Sequence, residues 1–182
     1  DKPQALGVSE QLARAFPQSV AAQANLAEVY SRVERRPEAI TLYEAIIRKW
    51  PAAIEVQKDL VNVYLSENQV ENATRLATQA TQQAPQAAAA WEAMGSVYEH
   101  QKKLTEAYQS YDKALQLRPA STVRIAPLYT IGYNAILTRN YLLAIQCYER
   151  VLQVDAAEAD ALFRLGRLFA LTGKKKEAED TQ

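Results

Sequence analysis

The chain holds 182 residues, 48% of them apolar, and its 21 basic and 21 acidic side chains cancel to a formal net charge of zero. That apolar share excludes a disordered chain, and the charge balance argues against a nucleic-acid binder, which needs a cationic surface to neutralise phosphates. No apolar run approaches the roughly 18 residues of a membrane-crossing helix.

A ruler runs through the sequence. Pro17, Pro51, Pro85 and Pro119 are spaced by 34 residues, as are Tyr30, Tyr64 and Tyr98, then Leu26, Leu60 and Met94, then Ala39, Ala73 and Ala107. Several columns in one register indicate an internal repeat. Taken in order, residues 1–19 hold the second helix of a truncated repeat, because Gln4-Ala5 to Phe16-Pro17 parallels Glu38-Ala39 to Trp50-Pro51. Residues 20–53, 54–87 and 88–121 are full repeats, 122–124 an insertion after Ser121, 125–158 a further full repeat, and 159–182 a partial one.

Each repeat predicts two helices of about 14 residues, roughly 21 Å long. In the third, Trp91, Met94, Gly95 and Tyr98 fall on one helical face, and Ala107, Tyr111 and Ala114 on one face of the next helix. Small residues at Gly95 and Ala107 should let backbones approach, with the aromatics filling the space beside them. The aromatic stripe therefore reads as core. Pro37 suits the first turn of a second helix, Pro127 the first turn of the fourth repeat's first helix, and Asn68 and Gly173 share a turn column that tolerates positive φ. A lone helix pair leaves an apolar face wet, so neighbouring pairs must stack on one another.

The unit Trp91-x-x-Met94-Gly95-x-x-Tyr98, Ala107-x-x-x-Tyr111, Ala114, Pro119 resembles the tetratricopeptide repeat, with Met in place of its Leu and Tyr in place of its Phe. The resemblance covers nearly the whole chain. It implies an all-α fold, a right-handed α-solenoid of stacked antiparallel helix pairs. It also implies a concave groove lined by the second, fifth, sixth and ninth positions of each first helix. The fifth column is Ala24, Lys58, Glu92, Tyr129 and Phe163; the sixth is Asn25, Asp59, Ala93, Thr130 and Arg164; the ninth is Glu28, Asn62, Ser96, Tyr133 and Arg167. Tyr129, Tyr133, Phe163, Arg164 and Arg167 would make residues 125–171 the main anchor patch for a protein or peptide, since Tyr and Arg are enriched at binding hot spots. The competing reading has Tyr129 and Phe163 packing between repeats and both Arg forming intrahelical pairs. Some family members clamp a terminal carboxylate with Lys, Asn, Asn, Lys and Arg. Lys58 and Asn62 match the first two positions, but Ala93, Ala126 and Thr130 replace the rest, leaving the first two as backbone-binding groups.

Catalytic inventory is poor. His100 and Cys147 are the single His and the single Cys, too few for a disulfide framework or a four-ligand Cys/His zinc site. His100 sits in a polar turn, Cys147 reads as an inert buried thiol, and the lysines at 174–176 read as a solvated helix start. No nucleotide-loop or nucleophile-elbow pattern occurs. No enzyme activity, cofactor or metal is expected, and no nucleic-acid partner or membrane insertion. Asp1 opens on an orphan second helix and Gln182 falls within another, so we expect a fragment of a longer protein whose ends can associate with each other. The expected role is a non-catalytic interaction scaffold. The alternative is an accessory repeat region of a longer enzyme resembling a glycosyltransferase, or of a bacterial polysaccharide-export protein. No feature assigns a compartment.

Overall fold

The computed structural model describes residues 2–118 and 125–173. Pro119, Ser121, the insertion at 122–124, the lysines at 174–176 and the Ala178 column lie outside the described residues. Among those described there are ten helices and no strand.

One compact unit spans residues 1–100. It contains α1 (Lys2–Ala15), α2 (Val20–Arg32), α3 (Arg36–Lys49), α4 (Ile54–Ser66), α5 (Val70–Gln83) and α6 (Ala88–His100). The other spans residues 101–182 and contains α7 (Leu104–Leu117), α8 (Ala126–Leu137), α9 (Tyr141–Val154) and α10 (Ala159–Thr172). Helix starts keep the sequence period: α2, α4 and α6 begin 34 residues apart, as do α3, α5 and α7. Helix α9 begins 37 residues after α7, one period plus three.

The turns that follow the first helices share one backbone feature. Glu34, Asn68, Lys102, Arg139 and Gly173 all take the left-handed conformation, with φ between 56° and 79°. Around Glu34, its N–H donates to Ser31 O at 3.3 Å and the Arg35 N–H donates to Tyr30 O at 2.8 Å. Asn68 with Gln69, and Arg139 with Asn140, repeat both bonds. This six-to-one plus five-to-two pattern satisfies the last carbonyls of the helix and turns the chain back sharply. Asn140 then caps the following helix by accepting from the Leu143 N–H at 3.3 Å. Proline occupies the first turn of both α3 and α8, where no intrahelical bond is lost.

In the first unit, Leu60, Val61, Tyr43, Ile46 and Val97 are fully enclosed, and the Tyr column converges on one core: Tyr64 is buried in it, while Tyr30 and Tyr98 pack against it. Each large apolar side chain so buried contributes about 1.5–3 kcal/mol. Ala39 and Ala73 have no exposed surface, so the alanine column marks where helices touch backbone to backbone. The Tyr64 hydroxyl emerges at the edge of this core and donates to Glu44 at 2.6 Å. Gln57 is fully buried on α4; its Nε2 donates to Pro51 O at 2.7 Å. One repeat later, Trp91 Nε1 donates to Pro85 O at 2.9 Å. The same column thus ties α4 and α6 each to the turn that precedes it.

In the second unit, α9 packs between α8 and α10. Leu128, Ile131, Ala135, Ala144, Cys147, Tyr148, Val151 and Ala161 are fully buried there. Side-chain volumes at two facing columns are reciprocal. Ala27 accompanies Tyr43 across α2 and α3, Val61 accompanies Ala77 across α4 and α5, and Gly132 accompanies Tyr148 across α8 and α9. Where one helix supplies bulk, its partner withdraws it, which keeps interior packing dense. On the other side of α9, Arg150 Nε donates to Asp112 Oδ1 of α7 at 2.5 Å, in a half-shielded position.

Candidate functional site

The clearest candidate lies on the second unit, between α8 and α10. Tyr133, Ile136, Arg164, Arg167, Leu168 and Leu171 line a depression of about 270 Å³. Helical spacing explains the convergence. Tyr133 and Leu137 are one turn apart on α8, and Phe163, Arg167 and Leu171 are successive turns of one α10 face. Buried Ile131 and Leu165 hold these two helices against the core from beneath. Tyr133 keeps 53% of its surface exposed and Phe163 63%, and Leu137 and Leu171 are equally open. Large apolar side chains clustered in solvent mark an interaction surface more often than singly scattered ones do.

The two arginines differ. Arg164 Nε donates to Asp160 Oδ2 at 2.6 Å, and its guanidinium carbon stands 5.9 Å from the Tyr148 ring centroid. The hydrogen bond to Asp160 raises its pKa further, so its charge is permanent. Arg167 lies 5.8 Å from the Phe163 ring centroid. No carboxylate among the described residues lies within ion-pair distance of it. Tyr129 turns inward and meets Tyr148 edge to face, with ring centroids 5.7 Å apart. Burial first, then the nearby Glu158 carboxylate, push the Tyr129 hydroxyl up to about 12. Both phenol hydroxyls are buried without a hydrogen bond of normal geometry. Of the five residues expected to form this patch, the structure therefore gathers Tyr133, Arg164 and Arg167 around the depression, places Phe163 at its rim, and sends Tyr129 beneath it.

Lys58 and Asn62 belong to the other unit, on α4. Asn62 is exposed. Lys58 is not an open donor: its Nζ lies 2.7 Å from Glu55, 3.8 Å from Asp59 and 3.7 Å from Glu92, with 14% of the side chain exposed. The ammonium is thus occupied by carboxylates of its own helix and of α6. A signal for this existed, since Lys58 and Glu92 hold the same column one repeat apart with opposite charge.

His100 is exposed, with Nε2 3.4 Å from Asn68 Oδ1. Cys147 is buried in the apolar interior, which pushes its thiol up to about 12 and suppresses the nucleophilic thiolate. Among the described residues no group of three His, Cys, Asp or Glu is placed to hold a metal, and no described helix is long and apolar enough to cross a membrane.

Residues 59–159 match the family described as Tetratricopeptide repeat protein 21 C-terminal ARM domain, and residues 22–55 match the family described as Tetratricopeptide repeat. The chain belongs to the tetratricopeptide repeat family. Its fold class is all-α, the helix-pair solenoid of that family. Among solved structures it is similar to PilF of Pseudomonas aeruginosa, with a TM-score of 0.67 and 22% identity, covering 96% of this chain and 82% of that one. MamA from Desulfovibrio magneticus RS-1, residue 41 to its end, gives 0.61 and 16% identity over 86% and 87% of the two chains. A chain of the Naa15/Naa10 complex bound to HypK-THB gives 0.71 and 20% identity, covering 89% of this chain and 24% of that one. At these identities the likeness shows the fold. No curated protein matches the sequence.

Proposed function

We propose that this tetratricopeptide repeat chain is a non-catalytic scaffold that holds a partner protein, through a peptide or helix, on the exposed α8–α10 surface. The observation that carries the reading is the grouping of Tyr133, Leu137, Phe163 and Leu171, all large and all exposed, around one depression. A monomeric surface seldom gathers so much apolar area unless it meets something. Aromatic and arginine side chains at the centre of such a patch are the residue types that dominate binding energy. The Naa15/Naa10 structure with HypK-THB supports the reading, because there a chain of the same fold class sits in a protein complex. The likeness takes up 24% of that chain, so a helical stretch of this size works inside a longer one.

The test is a random-peptide display selection against the full chain. Enriched peptides should lose binding to a Tyr133→Ala/Phe163→Ala variant whose helical circular-dichroism spectrum is unchanged. If no peptide is enriched, or if enriched peptides bind the variant equally well, the α8–α10 surface is not the docking site.

A further inference from the structure

We infer that the occupant of the α8–α10 depression is an acidic-apolar segment: a stretch of partner chain that sets a carboxylate beside a large apolar side chain. This rests on the docking surface proposed above and adds the chemistry of what docks.

Charge makes the first argument. Six residues line the depression, and the two charged ones, Arg164 and Arg167, are both cationic. They stand in a chain whose total charge is zero, so the cationic character is local. Pairing makes the second. Arg164 is already engaged by Asp160 at 2.6 Å. Arg167, one turn further along α10, rests over Phe163 with no carboxylate among the described residues in ion-pair range. A guanidinium 5.8 Å from a ring centroid keeps its N–H donors, which are the groups that grip a carboxylate bidentately.

Shape makes the third argument. The remaining lining is Tyr133, Ile136, Leu168 and Leu171. A volume of about 270 Å³ falls just below the roughly 300–1,000 Å³ of small-molecule pockets. It suits a single anchoring side chain better than a whole metabolite. An apolar anchor alone would leave Arg167 unanswered, and an acidic ligand alone would leave the lining wet. A segment carrying both satisfies both.

The experiment is fluorescence polarisation with the full chain and two labelled probes. One is a twelve-residue peptide of leucine, phenylalanine and glutamate; the other has glutamine in place of each glutamate. The glutamate probe should bind about tenfold more tightly, and Arg167→Gln should bring the two probes to within about twofold. Tyr133→Ala with Phe163→Ala should weaken both probes about tenfold. Equal binding of the two probes, or a glutamate preference that survives Arg167→Gln, overturns the acidic partner while leaving the docking surface standing. Binding indifferent to Tyr133→Ala/Phe163→Ala overturns the surface as well, as does failure of the glutamate probe to bind below about 1 mM.

Discussion

A Cβ placed on Gly132 of α8 would stand 2.9 Å from Cζ of Tyr148 on α9. Tyr148 has no exposed surface and Tyr129 lies edge-on against it, so its ring has little room to retreat. Alanine in place of a mid-helix glycine ordinarily stabilises by about 1 kcal/mol, whereas overpacking costs about 1–3 kcal/mol. Gly132→Ala should therefore destabilise by about 1 kcal/mol in urea unfolding. In a Tyr148→Leu background the same change should become neutral or favourable, giving a coupling term between the two sites. A stabilised single variant would show that the ring moves freely.

Lys102 sits at φ 61° in the turn column also occupied by Asn68 and Gly173. Left-handed backbone costs an ordinary L-residue roughly 1–2 kcal/mol, and glycine escapes that cost at some expense in unfolded-state entropy. Lys102→Gly should stabilise by about 0.5–1 kcal/mol and raise the Tm by a few degrees. Asn68→Gly should gain less, because asparagine tolerates this conformation. Thermal melts of the two variants side by side check the ranking.

Asp112 and Arg150 join α7 to α9 at 2.5 Å, with 25% and 18% of their side chains exposed. Partial shielding makes the pair worth more than an open surface bridge, and solvent access keeps it below a buried one. Either Asp112→Ala or Arg150→Ala should cost about 1–2 kcal/mol, and the double variant should cost less than the two added together. Strict additivity in urea unfolding would remove the tie from the account of this unit.

Alkaline pH should weaken the fold through groups whose protonated form it prefers. Burial pushes Cys147 from an ordinary 9.0 up to about 12. Between those values the unfolded chain has released the proton and the folded chain still holds it, so stability falls as pH rises. Below pH 9.0 the contribution is complete. Tyr129, lifted from 10.0 to about 12, extends the loss over its own window. The urea midpoint should decline from about pH 9 upward, and Cys147→Ala should flatten the early part of that decline. An unchanged slope in the variant would count against Cys147 as the source.

The repeated columns made the helix pairs legible, because a 34-residue period in prolines, alanines and tyrosines reports backbone contact and core position together. The column holding Asn68 and Gly173 announced its turn, yet Glu34, Lys102 and Arg139 adopt the same φ without any residue preference for it. At Glu34 and Arg139 the paired turn hydrogen bonds override intrinsic propensity. Trp91 reads as core in the sequence, whereas its indole N–H donates to Pro85 O as Gln57 does to Pro51 O, a reach that a periodic apolar pattern does not report. At the candidate site, Tyr133, Arg164 and Arg167 could be foreseen from position alone. Tyr129 could not, because its direction is set by the space that Gly132 leaves for Tyr148 and by that ring's own edge. Lys58 was legible both as a cation and as an occupied one, from Glu55 one turn before it and from Glu92 in the same column one repeat on, a pairing that its groove position alone does not report.

The reciprocal volumes of Ala27 with Tyr43, Val61 with Ala77 and Gly132 with Tyr148 carry one more implication. Repeats that share a blueprint are exposed to cross-pairing during folding and to recombination in the gene. Here one pair is keyed against the others: Val61 of α4 would collide with a tyrosine, whereas Ala27 with Tyr43 and Gly132 with Tyr148 follow a single small-with-tyrosine rule, which Gly95 and Tyr111 repeat in the same columns of the sequence. The α4–α5 cassette alone carries a different key, so a chain that exchanges its helices with those of another pair meets a steric penalty there.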